Sequence, residues 1–362
     1  MSESLLYPVL GGFISTLLTS ILLAVTVRWH GRLSLDSDRG AQKHHARPTP
    51  RVGGIAIITG MLVSMTLADA GLLHLLIMLL AGLPALIVGL AEDVLKTVTP
   101  RTRLLSHFIA ALILVFAGGQ ILRQTGWHVT DDIMLFTPFA VLVTIIGLAG
   151  VTNATNLIDG YNGLASGSVS IMALGLGCLA LRAQDPLLAE ACFTLGAVTA
   201  GFALFNFLTG RLFLGDGGAY FCGFMLAALA LMLCTRHPDL TPWAPLLVIF
   251  YPVWETIFSI LRKSRRERSS PSTADRIHMH HLISRDLARP IARRARMPGL
   301  QNPLTSLLCW PFAIFCSLVA VYYGTGTIAC IAGMVIFALV YENLYKALSL
   351  KKITHKGPAV AT

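Results

Sequence analysis

VTNATNLIDGYNGLASG, Val151–Gly167, sets a dense polar patch directly between two apolar runs, 134–152 and 163–182, each long enough to cross a membrane. Asn153, Asn156, Asp159 and Asn162 alternate there with Gly160 and Gly163, so oxygen ligands, amide donors and bare backbone crowd one membrane boundary. A phosphate and a divalent metal ask for that chemistry.

Working outward, apolar runs of span length recur near 5–27, 52–70, 72–91, 104–123, 134–152, 163–182, 187–207, 216–235, 242–261, 304–323 and 325–345. The chain is 55% hydrophobic and only 13% charged, with mean hydropathy +0.70, whereas soluble domains carry about a quarter charged residues. The expected fold class is therefore all-α, a polytopic integral membrane protein with 11 transmembrane helices. The count falls to 10 if the second and third runs, or the last two, form one span. The first run follows Glu3 rather than a basic stretch and outlasts the apolar part of a signal peptide, so it reads as a span.

Lysine and arginine give the orientation, because they concentrate in cytoplasmic loops. With the N-terminus outside and the C-terminus cytoplasmic, only Arg123, Arg182 and Arg236 of the 28 basic residues fall outside. The net charge of +10 is then mostly topology. No aromatic-interleaved basic stretch suggests nucleic acid. The seven cysteines lie in or at the edges of the spans without a CxxC pair, which argues against a disulfide framework or a zinc site. No internal repeat is visible. The chain reads as one transmembrane domain, 1–350, whose loops 28–51, 92–103, 153–162, 208–215 and 262–303 form an active face, followed by a polar cytoplasmic tail, 351–362.

Four more polar segments fall on the face of the opening stretch. KHHARPTPRVGG, Lys43–Gly54, is a stiff basic turn where backbone approaches an anion, or simply a basic cytoplasmic loop. GLAEDVLK, Gly89–Lys96, carries Glu92 and Asp93 about 100° apart on a helix. Their mutual repulsion favours a cation or proton between them, and acids at a helix C-terminus oppose the macrodipole, which argues against plain decoration. LFLGDGGAYFCG, Leu212–Gly223, opens a span with Asp216 between two glycines, either a metal ligand at a helix N-terminus or an N-cap. DRIHMHHLISR, Asp275–Arg285, clusters His278, His280 and His281 for a phosphate or sugar, or leaves them exposed. Two acids fall inside spans, Glu190 and Glu255, and both read as packing against another helix.

The ordered set KxHxxPTPRxGG, an acidic pair, NxxNxxDGxxGL, GDxG and HxHH, from Lys43 to His281, resembles the polyprenyl-phosphate hexosamine-1-phosphate transferases. These include the bacterial undecaprenyl-phosphate N-acetylglucosamine-1-phosphate transferases and the muramyl-pentapeptide translocase. The resemblance implies transfer of a sugar 1-phosphate from a UDP-N-acetylhexosamine to undecaprenyl phosphate, with release of UMP. It also implies a magnesium cofactor that manganese can replace, and an inner-membrane location with the active site facing the cytoplasm. By motif position, Asp216 and Asn156 would ligate the metal, and Asp93, Glu92 and Asp159 would be catalytic. Lys43, Asn153, Arg276, His278, His280 and His281 would bind substrate. The reaction needs only direct in-line attack, since a lipid phosphate is already a nucleophile at neutral pH.

Three departures from the family pattern stand out. Glu92 replaces the first aspartate of the acidic pair, Asn162 stands where many members carry a second aspartate, and the HMHH run resembles the N-acetylglucosamine and O-antigen-initiating members. The resemblance implies UDP-N-acetylglucosamine as donor, with N-acetylated quinovosamine or fucosamine and muramyl-pentapeptide as alternatives, and a homodimer among its partners. A secondary transporter is the reading from another class. It expects midplane sites and inverted repeats, and the sequence offers neither.

Overall fold

The apolar runs fold as helices in a computed structural model, which describes residues 3–36, 48–68, 72–265 and 278–354. The long helices are α1 (Glu3–Val25), α2 (Gly53–Leu67), α3 (Leu72–Leu95), α4 (Pro100–Phe116), α5 (Thr137–Leu157) and α6 (Leu164–Arg182). After them come α7 (Pro186–Thr209), α8 (Gly215–Arg236), α9 (Phe250–Arg265), α10 (Gln301–Tyr323) and α11 (Thr327–Thr354). Short helices at Val27–Ser34, His128–Met134, Trp243–Val248, Met279–Ile283 and Arg289–Arg294 join them. One antiparallel pair of two-residue strands, Leu35–Asp36 with Thr49–Pro50, departs from the all-helical expectation.

Among the described residues eight helices are long and apolar enough to cross a membrane. The other three expected spans are altered for local reasons. At α2 the helix stops after 15 residues, where Ala68 turns extended. The run expected at 104–123 begins at Pro100, because Thr99 caps the helix through the Thr102 N–H and Pro100 occupies its first position. The run expected at 242–261 breaks at Ile249 into Trp243–Val248 and α9. Pro252 explains the break, since it cannot donate to the carbonyl of Val248 and its ring crowds that position.

Helix α8 is apolar all round and buried from Gly215 to Leu233, which makes it the axis of the bundle. Helices α3, α5, α2, α6 and α7 pack around it, while α1 and α11 show the most apolar surface outward. Small residues let backbones touch at one end of this axis. A Cβ on Gly89 of α3 would lie 2.5 Å from the Gly217 Cα of α8, so only glycine permits the contact. There the chain around Pro50–Gly54 is laced to 213–214: Phe213 N–H donates to Pro50 O at 2.8 Å, and Gly53 N–H donates to Phe213 O at 2.9 Å. The opposite end of α8 is tied by Asp185, which accepts from Arg236 Nε at 2.8 Å, His237 Nε2 at 2.9 Å and the Leu188 N–H at 3.0 Å.

Candidate active site

A cavity of about 440 Å³ opens where the N-terminus of α8 meets the C-termini of α3 and α5. Glu92, Asn153, Asn156, Asp159, Asp216, His278, His280 and His281 line it, together with Arg51, Arg103 and Tyr161. Residues from six separate stretches of sequence thus share one cavity.

Asp93 stands just behind that wall. It is 1% exposed and accepts the N–H groups of Asp216 and Gly217, both at 3.0 Å, and Arg51 Nε lies 3.2 Å from its Oδ1. A carboxylate from α3 therefore caps α8, satisfying two donors that a helix leaves open and meeting the positive end of its dipole. Gly215 makes the approach feasible. Its φ is +75°, and a Cβ there would lie 2.5 Å from Asp93 Oδ2. Its neighbour Glu92 lines the cavity and accepts the Val98 N–H at 2.9 Å.

Asp216 is held between two arginines, with Arg51 Nη2 at 2.9 Å from Oδ1 and Arg103 Nη1 at 3.1 Å from Oδ2. Asp159 sits in the turn after α5, its N–H bonded to Asn156 O at 3.1 Å. Burial pushes its carboxyl up to about 7, Arg51 pulls it down, and Asp216 pushes it further up. Asn156 donates from Nδ2 to the Tyr220 hydroxyl at 3.1 Å, and the Tyr220 ring leans on His107 with centroids 4.4 Å apart.

The histidines form the facing wall. His278 and His280 stack nearly parallel, 8° apart with centroids at 5.5 Å, and His281 lies 4.3 Å from His280. Tyr161 meets His280 and His281 edge-on at 5.7 and 6.0 Å. Among the described residues no three His, Cys, Asp or Glu side chains converge as a ready-made metal cage. Magnesium does not need one, because it is held by one or two carboxylates with substrate phosphates and water completing the shell. Asp216, Asp159 and Asn156 on one cavity wall supply that donor set, and the unfavourable pairing of Asp159 with Asp216 is the kind a divalent ion relieves. The residues fit the ion.

Asn162, where the chain departs from the family pattern, is absent from the cavity lining; its amide lies by Gly210 and its carbonyl accepts from Ser306 Oγ at 2.7 Å. Lys43 and Arg276 lie outside the described residues. Arg51, inside the PTPR motif, and Arg103 are site residues that the motifs do not single out, because a basic residue in a cytoplasmic loop reads equally well as topology. Glu255 needs a correction: it does not merely pack against a helix but accepts a hydrogen bond from His278, which lies against α9 at the start of the short helix Met279–Ile283. Glu190 lies far from this cavity and lines a small pocket with Arg236.

Residues 75–234 match the family described as Glycosyl transferase family 4. A probable undecaprenyl-phosphate N-acetylglucosaminyl 1-phosphate transferase of Bacillus subtilis is 24% identical over 91% of this chain and 88% of its own. An undecaprenyl-phosphate alpha-N-acetylglucosaminyl 1-phosphate transferase of Yersinia pestis is 28% identical over 67% of this chain and 68% of its own. A phospho-N-acetylmuramoyl-pentapeptide-transferase of Moorella thermoacetica is 30% identical over 90% of this chain and 100% of its own. With a polar cavity at one end of an apolar bundle and a relative matched along its entire length, the chain belongs to glycosyl transferase family 4, a family of membrane phosphotransferases.

Proposed function

We propose that this protein transfers N-acetylglucosamine 1-phosphate from UDP-N-acetylglucosamine to undecaprenyl phosphate, releasing UMP and forming the lipid diphosphate sugar that initiates O-antigen or a related envelope polysaccharide. The observation that carries the reading is the single cavity in which Asp159 and Asp216 face Arg51, Arg103 and three histidines. A diphosphate donor and a phosphate acceptor bring several negative charges together, and only a site rich in cations tolerates them.

In this reading an oxygen of the lipid phosphate attacks the phosphorus attached to the sugar. One P–O bond forms and the bond to the bridging oxygen breaks, leaving UMP with that oxygen. Magnesium, or manganese in its place, would be held by Asp216, Asp159 and Asn156, and supplies charge neutralisation across the diphosphate. Arg51 and Arg103, which pair with Asp216, lie where they can turn to phosphate oxygens. Lys43, Asn153, Arg276 and the histidines would grip the donor. Glu92, on the cavity wall, orients the lipid phosphate, while Asp93 fixes the end of α8 that presents Asp216. The second phosphate ionisation lies near pH 6, so the nucleophile needs no dedicated base.

The same reading places 11 spans in a bacterial inner membrane, N-terminus outside, with the cavity facing the cytoplasm where the UDP-sugar is found. Purified protein with magnesium, undecaprenyl phosphate and a panel of UDP-N-acetylhexosamines tests it. UMP is expected from UDP-N-acetylglucosamine above the quinovosamine, fucosamine and muramyl-pentapeptide donors. Release from none of them overturns the reading.

A further inference from the structure

Glu255 on α9 is 1% exposed, and both its oxygens are engaged. Oε1 accepts from His278 Nδ1 at 2.9 Å and from the Met279 N–H at 3.3 Å, and Oε2 accepts from the hydroxyl of Tyr341 on α11. Phe258, one turn along α9, packs its ring edge-on against Tyr341 at 5.3 Å. A buried carboxylate is costly to keep unless such donors surround it, so this one has to be explained.

We infer that Glu255 is a positioning residue for the donor-binding histidines, clamping His278 between α9 and α11 so that its Nε2 serves the cavity. This rests on the proposed reading for what the cavity binds. An ionised carboxylate only accepts, so Nδ1 of His278 must carry its hydrogen, and Nε2 is the nitrogen left to the cavity that the ring lines. When Nε2 donates to a phosphate oxygen, Glu255 is the counter-charge behind the ring. By accepting the Met279 N–H, Glu255 also caps the short helix Met279–Ile283 that carries His280 and His281. The stacked His280 ring inherits its orientation from His278. Tyr341 brings the last long helix into the site, although it is 60 residues or more from every motif.

The test compares Glu255→Ala, Glu255→Gln, Tyr341→Phe, His278→Ala and the double variant Glu255→Ala/His278→Ala in the full-length protein. In substrate-free protein, amide hydrogen exchange across Met279–Ile283 is expected to accelerate at least tenfold in Glu255→Ala and to return toward wild type in Glu255→Gln. In UMP release, Glu255→Ala is expected to raise KM for the UDP-sugar by about 10-fold or more, with a smaller change in kcat, as removal of an orienting partner does elsewhere. In the His278→Ala background the same change is expected to add less than it does in the wild type, because the His278 contact cannot be lost twice and only the Met279 cap remains to be removed. Equal losses in both backgrounds, or unchanged exchange at 279–283, overturn the inference. If Glu255→Ala does not fold, Glu255→Gln and Tyr341→Phe decide it by the same exchange and KM readouts. A wild-type protein that releases no UMP defeats the proposed reaction while the exchange arm still decides the clamp.

Discussion

Asp216 would carry the metal in the proposed reaction, and it lies between the guanidinium groups of Arg51 and Arg103. Asp216→Asn removes the charge and keeps the shape, so UMP release is expected to fall more than about 100-fold while the protein elutes from gel filtration as the wild type does. Retained release would remove the metal role. Asp159 offers a second test through pH. Burial holds its carboxyl up at about 7, well above the ordinary carboxylate range, so the protonated form favours folding. That stabilisation is complete below about pH 4 and is lost as pH rises through 7. In chelator, Asp159→Asn is therefore expected to gain more Tm on wild type at pH 8 than at pH 5, the difference being on the order of 3 °C or more. Magnesium is expected to raise the wild-type Tm more at pH 8 than at pH 5, because it competes with the proton. An equal gain at both pH values would count against Asp159 as a ligand.

At the scale of elements, the site depends on helix ends meeting at backbone distance. Gly89→Ala would push a methyl against the backbone of Gly217 and drive α3 off α8, which also pulls Asp93 from the N-terminus it caps. A loss of about 1–3 kcal/mol is expected from such overpacking. Thermal melts in detergent would register it, and unchanged Tm with unchanged activity would refute the contact. The long apolar helices were legible because membrane spans announce themselves by length and polarity alone. The polar motifs were legible because polar residues at a membrane boundary stand out against an apolar background. What could not be read was contact across sequence: that Asp93 turns away from the cavity to cap α8, that Arg51 bridges Asp93 and Asp216, and that Glu255 answers to His278. Hydrogen bonds between residues 23, 123 or 165 positions apart leave no periodic trace in one chain. Local breaks are legible only in part: Pro252 lies inside the apolar run 242–261, and its effect on the carbonyl of Val248 leaves no mark on hydropathy.

For the whole molecule, the arrangement separates two environments along α8, whose 22 residues cover about 33 Å, close to a hydrocarbon core. The polar cavity surrounds its N-terminus, and the Asp185, Arg236 and His237 cluster closes its C-terminus. A polar cavity at one end, rather than at midplane, suits an enzyme whose donor is water-soluble and whose acceptor is a lipid headgroup, and removes the main attraction of a transporter. The proposed orientation then makes a sharp demand on both ends. Single cysteines placed by Thr130→Cys and Asp239→Cys are expected to react with a membrane-impermeant maleimide on intact cells. Those placed by Lys96→Cys and Arg211→Cys are expected to react only after permeabilisation. Because Lys96 follows α3 and Arg211 precedes α8, both report the cavity side of the bundle, whereas Asp239 follows α8 and reports the other. Labelling of the Arg211 site on intact cells would place the cavity outside, away from any cytoplasmic UDP-sugar, and the proposed reaction would fall with the topology.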